Sequence, residues 1–330
     1  MRGAVLVSPG GIQSRPLEVR EVQKPTISDG RTLLKVRACG VCRTDLHIVE
    51  GELPPLRPNV IPGHQIVGEV VAGATGEFPM GSRAGVAWIG GTDGTCPYCR
   101  MGAENLCDAP TFTGYSVDGG YAEFASARAD FLLKIPDALD DLHAAPLLCA
   151  GIIGYRSLRV AGVEKGERVG LFGFGASAHL TLPVLRAWGC KVFVSTRGVS
   201  HRKLAESLGA DWVGSESERS PEVLDRAVTF APSGDVVVMA LSCLRKGGVV
   251  AVNAIHLDRV PEFSYDKLLW GERQIRSVTN MTRSDGREFL EIAGQIRLDP
   301  RVTQFALKDV NEALLAIKSD SVDGAAVVVL

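Results

Sequence analysis

The run Cys39-Gly40-Val41-Cys42-Arg43-Thr44-Asp45-Leu46-His47 places two thiols, a guanidinium, a hydroxyl, a carboxylate and an imidazole where no apolar periodicity explains them. Pro62-Gly63-His64-Gln65 adds an imidazole, and Pro146-Leu147-Leu148-Cys149-Ala150-Gly151 adds a further thiol. Two thiolates and one neutral imidazole, from Cys42, His64 and Cys149, balance the charge of Zn2+ and leave its fourth position open for substrate. A zinc ion held in that way is a Lewis acid that lowers the pKa of a bound alcohol. Asp45 is placed to orient one of the ligands from behind. Cys39 is a competing thiol for the same ion. The plainer alternative is a set of buried structural cysteines and a core histidine.

A second set of candidate ligands, Asp93, Cys96, Cys99 and Cys107, falls in the stretch 90–110. Its short, even spacing suits a structural zinc lobe. One carboxylate and three thiolates would overcharge the ion, so the alternative is a lobe held by packing alone. A loop of this length needs something to hold it.

Gly173-Phe174-Gly175-Ala176-Ser177-Ala178 follows the apolar stretch Arg168–Gly173 and opens a helical pattern. Glycines there let a pyrophosphate approach the backbone, and the helix start offers N–H groups and a positive dipole. The next strand ends Val194-Ser195-Thr196-Arg197-Gly198, with no Asp or Glu to bind a ribose 2′-hydroxyl. Arg197 is positioned for a 2′-phosphate, with Ser195 and Thr196 as neutral donors, so NADP is expected over NAD. Otherwise Arg197 is a solvated surface residue and NAD binds without a carboxylate.

The elements that must position these groups divide into two regions. Up to about residue 125 the chain reads as strands broken by Gly and Pro, including 4–7, 17–22, 32–37, 65–71, 82–88 and 119–125, with a short helix from 44 to 50. A helix is expected from 140 to 158. From 168 onward strands and helices alternate. Strands are expected at 168–173, 191–195, 227–230, 249–255 and 275–278, and helices at 179–188, 201–208, 220–225 and 235–245. That alternation argues for a doubly wound parallel sheet. Helices at 286–296 and 310–318 and a strand at 325–330 close the chain. Pro183 must lie in the first turn of its helix or kink it.

At 330 residues the chain is long enough for two domains, and 45% hydrophobic with 22% charged content is that of a globular protein. A net charge of −2 gives no reason to expect nucleic acid. No apolar stretch approaches 20 residues, so no membrane span is expected. The N-terminal apolar run is too short for a signal peptide to be expected there, and eight cysteines are too few for a disulfide scaffold. A reducing cytoplasm is therefore expected.

Taken together, Gly-Val-Cys42-Arg-Thr-Asp-Leu-His47, Pro-Gly-His64, Asn105-Leu-Cys107, Gly119-Gly-Tyr-Ala-Glu-Phe, Leu-Leu-Cys149-Ala-Gly and the glycine turn resemble the zinc-dependent alcohol dehydrogenases of the medium-chain dehydrogenase/reductase superfamily. The resemblance spans essentially the whole chain. It implies a GroES-like, β-rich catalytic domain over 1–148 and 278–330, and a Rossmann domain over 149–277. It implies a catalytic zinc on Cys42, His64 and Cys149, with Cys39 a bystander. Thr44 would take the substrate's hydroxyl proton and His47 would pass it on. Arg43 would contact cofactor phosphates. Ile48, Val49 and Trp88 would face a modest, apolar alcohol or aldehyde. Two departures stand out: Gln65 where the family usually has Glu behind the metal, and Asp93 for the first lobe cysteine. A homodimer or homotetramer would form through the edge strand 275–278. The competing readings are a zinc-free quinone or enone reductase and a non-catalytic nucleotide-binding protein on the same scaffold.

Overall fold

The computed structural model describes residues 1–28, 30–322 and 324–330. Contacts divide the chain into two compact units, Met1–Ala150 with Asn280–Leu330, and Gly151–Thr279. Each crossing falls two residues later than the expected division, so Cys149 lies in the same unit as Cys42 and His64.

The first unit is built on strand Arg31–Val41. Leu34–Arg37 alternates buried and exposed residues, while Ala38–Val41 is buried throughout. The strand therefore runs from a half-covered edge into the core just before Cys42. It pairs antiparallel with Gln65–Ala72, Phe124–Arg128 and Ala325–Val329. Arg83–Val86 and Val302–Ala306 extend the sheet outward. Leu34, Val36, Ile66, Val70, Tyr121 and Val328 form part of its core. The return of the chain after residue 280 thus completes the sheet that carries the cysteine run.

The second unit is a six-stranded, wholly parallel sheet. Its order is Trp212–Gly214, Lys191–Ser195, Arg168–Phe172, Leu224–Thr229, Leu244–Val252, Gln274–Ser277. The chain leaves Arg168–Phe172 on one side and returns on the other at Leu224–Thr229. The sheet's carboxyl end there is where doubly wound folds bind nucleotides. The expected GroES-like and Rossmann architecture is present.

Several local expectations need correction. The helix expected over 140–158 is three pieces, Asp141–Ala144, a 3-10 turn Ala145–Leu148 and Ala150–Ala161. Pro146 supplies no N–H to continue the first helix, and Cys149 is left in a break with φ −131° and ψ −72°. No helix occupies 220–225, because Leu224 already begins the strand. Helix Ala176–Ala187 starts three residues early and runs through Pro183 beyond its first turn. The loop at 90–110 carries structure of its own, a helix at Pro97–Arg100 and a 3-10 turn at Glu104–Leu106. The strand expected at 249–255 is Leu244–Val252, and that at 119–125 begins at Phe124.

Candidate functional site

Cys42 ends the extended run and caps helix Arg43–Glu50. Its Sγ accepts from Thr44 N at 3.3 Å, and Asp45 Oδ2 accepts from Cys42 N at 3.0 Å, a reciprocal capping box. The other carboxylate oxygen, Asp45 Oδ1, accepts from Gly63 N at 3.2 Å and pairs with His64 Nδ1 at 3.0 Å. With Nδ1 so engaged, His64 turns Nε2 toward Cys42 Sγ, 3.3 Å away. Asp45 and His64 are both fully buried. Gly63 makes the approach possible: its φ is +95°, and a Cβ there would sit 2.7 Å from Tyr121 Cδ1.

Cys149 arrives from the helix break. One ligand atom from each of Cys42, His64 and Cys149 lies within 4.8 Å of the others. A tetrahedral zinc with bonds of about 2.0–2.3 Å spaces its ligands about 3.5–3.8 Å apart, so the three donors fit that ion. The neighbouring Cys149 thiol, followed by burial, pushes the Cys42 thiol pKa well up. Burial opposes the His64 imidazolium, but Asp45 and Cys42 raise its pKa well above the ordinary value. Groups that crowd protons together in this way are those from which a divalent cation displaces them. Cys39 is buried and is not among these donors. Gln65 is also buried. A Cβ on Gly40 would lie 3.0 Å from its side chain, which explains the glycine inside the cysteine run.

Thr44 and His47 are half-buried and one helical turn apart, hence on one face. His47 Nδ1 is bonded to the Glu52 carboxylate. Arg43 is exposed. Ile48 and Val49 are 2% and 0% exposed and pack in the core, so they present almost no surface to a substrate. Trp88 meets His64 edge-on at 5.1 Å and stacks on Phe112 at 4.9 Å and Tyr115 at 6.0 Å. Phe112 and Tyr115 were not singled out from the sequence. Their signal was two aromatics three residues apart in a chain with only 6% of them.

In the lobe, Asp93, Cys96, Cys99 and Cys107 bring ligand atoms within 4.8 Å of one another. Asp93 Oδ1 accepts from Thr95 N at 2.7 Å and Cys96 N at 2.9 Å, and these N–H groups hold its carboxyl far below the usual carboxylate range. Backbone N–H groups point at Cys96 and Cys107 sulfurs at 3.4–3.5 Å. A carboxylate already occupied by two backbone donors is a weaker zinc ligand than a thiolate, yet the set fits the ion. Glu104 Oε2 accepts from Arg283 Nε at 2.9 Å and Nη2 at 2.7 Å, and its Oε1 accepts from Arg283 N at 2.6 Å, so this pair holds the lobe independently of any metal.

In the second unit, Gly173 has φ +88°, and a Cβ there would lie 2.8 Å from Ala231 N. Gly175 caps helix Ala176–Ala187, with nothing within 4 Å of where its Cβ would be, so the helix start is open to a ligand. Ala178 is fully buried. Ser195 and Thr196 differ from expectation. Both are 4% exposed, and the Ser195 hydroxyl donates to Ser215 O at 2.8 Å. Ser195 is thus committed inside the fold. The Arg197 side chain is 78% exposed and pairs loosely with Glu216 at 3.4 Å.

Residues 28–137 match the family described as the alcohol dehydrogenase GroES-like domain, and 178–295 match the zinc-binding dehydrogenase family. The chain is 46% identical over 329 residues to a probable alcohol dehydrogenase, AdhA, of Mycobacterium tuberculosis, covering 98% of this chain and 95% of that protein. An alcohol dehydrogenase of Geobacillus stearothermophilus is 35% identical over 322 residues, 94% of each chain. Among solved structures, acetophenone reductase from Geotrichum candidum in complex with NAD aligns with a TM-score of 0.85 at 27% identity, over 100% of this chain and 97% of that one.

Proposed function

Because the chain belongs to the zinc-binding alcohol dehydrogenases, a family of NAD(P)-dependent alcohol oxidoreductases, we propose that Cys42, His64 and Cys149 hold a catalytic zinc and that Thr44 and His47 move the substrate proton. The observation that carries this reading is the convergence of those three donors, with Asp45 fixing the imidazole. When bound, the zinc supplies Lewis acidity toward the substrate oxygen, and the nicotinamide carries the hydride. The protein orients and relays. Asp45 holds His64 with Nε2 directed at the site. Thr44 takes the hydroxyl proton at Oγ1, and His47, braced by Glu52, carries it outward. Trp88 offers an apolar wall to a small alcohol or aldehyde. Metal analysis with steady-state kinetics on a panel of alcohols and aldehydes tests this. Absence of zinc with turnover of enones would favour the zinc-free reductase, and cofactor binding without any turnover would favour the non-catalytic reading.

NADP is the cofactor we favour, because Arg197 is exposed at the end of its strand and that strand end carries no carboxylate. Glu216 beside it is the observation that favours NAD, since its charge would repel a 2′-phosphate. An Arg197→Ala variant should raise KM for NADP about tenfold and leave KM for NAD unchanged. Zinc in the Asp93-Cys96-Cys99-Cys107 lobe is part of the same reading, as is Arg43 at the cofactor phosphates. Strand Gln274–Ser277 is an exposed sheet edge, and Trp270 and Ile255 are exposed as well. It supports a homodimer, paired again into a homotetramer. Eight free cysteines suit a reducing cytoplasm. No described helix is long and apolar enough to cross a membrane.

A further inference from the structure

Strands Arg31–Val41 and Phe124–Arg128 pair so that Arg31 and Arg128 stand directly opposite each other. Like charges in that register repel, and a fold keeps them there only if something offsets the repulsion. Arg128 has a carboxylate: its Nε and Nη2 reach Asp130 at 3.0 and 2.7 Å. Asp130 is itself shared with Arg283, whose Nη1 lies 3.5 Å away. Arg31 has none among the described residues. Its Nε and Nη2 donate to Ser126 Oγ and Ser126 O at 2.9 and 2.7 Å, both neutral acceptors.

Both arginines line a cavity of about 100 Å³, with Thr111, Thr113 and Ser126 also on its walls. Thr113 is only 4% exposed, so what its hydroxyl can reach is set by the cavity. Gly90 and Gly91 open the wall beside these groups. A Cβ on Gly90 would lie 2.8 Å from Thr113 Oγ1. A Cβ on Gly91 would lie 2.6 Å from Thr111 Oγ1 and 3.3 Å from Arg128 Nη1. Arg128 Nη1 also donates to Thr92 O at 2.8 Å, which leaves each Arg128 Nη with one further N–H. The unneutralised Arg31, the remaining N–H groups of Arg128 and two hydroxyls around a small cavity make a donor set for an anion with several oxygens. We propose that this cavity binds a phosphate-sized oxyanion between Arg31 and Arg128, with the hydroxyls of Thr111 and Thr113 completing its shell. None of Cys42, His64 and Cys149 lines this cavity, and anion binding there does not depend on the proposed reaction.

The test is thermal unfolding of the full chain in inorganic phosphate, at constant ionic strength balanced with sodium chloride. Saturating NADP keeps phosphate out of the nucleotide site. The wild type should gain about 2 °C or more at 20 mM phosphate. Arg31→Met, which keeps the stem and removes the charge, should abolish the gain. Thr113→Val decides the matter if the arginine variant gives no cooperative transition, and should cut the gain at least by half. No gain in the wild type beyond the chloride control overturns the proposal. So does an undiminished gain in whichever variant folds.

Discussion

Asp45 accepts three hydrogen bonds while fully buried, from Cys42 N, Gly63 N and the His64 ring. The first closes the local helix cap and the other two reach a segment 18 and 19 residues on, so one carboxylate sets the cap, the turn before His64 and the tautomer of the imidazole. An Asp45→Asn change keeps the shape but turns an amide donor toward one of these N–H groups. Zinc affinity should fall about 10- to 100-fold, read as zinc retained in competition with a chelator. Retention equal to the wild type would remove Asp45 from the positioning role. Thr44 is judged by a different readout. Thr44→Val should lower kcat about 10²- to 10⁴-fold with zinc content unchanged, and Thr44→Ser should restore most of it. Comparable activity in the valine variant would rule out a proton path through the Thr44 hydroxyl.

At the scale of elements, the ends of strands Arg168–Phe172, Leu224–Thr229 and Leu244–Val252 are joined by charge. Asp225 accepts from Arg168 N at 2.9 Å, Arg168 Nε at 3.1 Å and Arg245 Nε at 2.6 Å. Burial works against the Asp225 charge, but these donors outweigh it and hold its pKa at about 2, against an ordinary 3.8. A depressed carboxyl stabilises the fold fully above its ordinary value and loses that contribution as the pH falls through its folded one. Asp225→Asn should therefore cost on the order of 1 kcal/mol at pH 7 and almost nothing near pH 2, measured as unfolding midpoints across that range. An equal cost at both ends would assign the residue a packing role only. The sequence made some elements readable and hid others for physical reasons. The glycine turn was legible because its demand is local: Gly173 needs its backbone angle and close approach within a few residues. The break at Cys149 was hidden because the residues around it are apolar at helical spacing, and only Pro146 hinted at an interruption. The 220–225 misassignment came from a polar run that joins two strands without any helix between them. Opposed arginines at 31 and 128 cannot be read at all without the pairing register.

At the scale of the whole chain, the two units differ in how their sheets are completed. The parallel sheet draws all six strands from 168–277, one continuous segment. The other sheet needs the chain to come back: Val302–Ala306 and Ala325–Val329 are its last two strands, and Ala326–Val329 pair with Ala38–Val41 immediately before Cys42. Lys318 also reaches Glu50 at 2.7 Å, at the end of the helix that Cys42 caps. Ile12 N donates to that same Glu50 carboxylate, at 2.9 Å. The cysteine run is thus held on one flank by residues nearly 300 positions away, a dependence that no local pattern in the first 50 residues records. Removing residues 301–330 should expose the Ala38–Val41 edge and leave Val41, buried in the native sheet, without its cover. The shortened chain should lose zinc and alcohol turnover together while its Gly151–Thr279 unit still melts cooperatively and still binds dinucleotide. Zinc analysis, a kinetic assay, thermal unfolding and nucleotide titration on the truncated protein measure the four separately. Full zinc retention would show that the remaining strands hold the donors unaided, and loss of nucleotide binding would show that the parallel sheet depends on the returning segment as well.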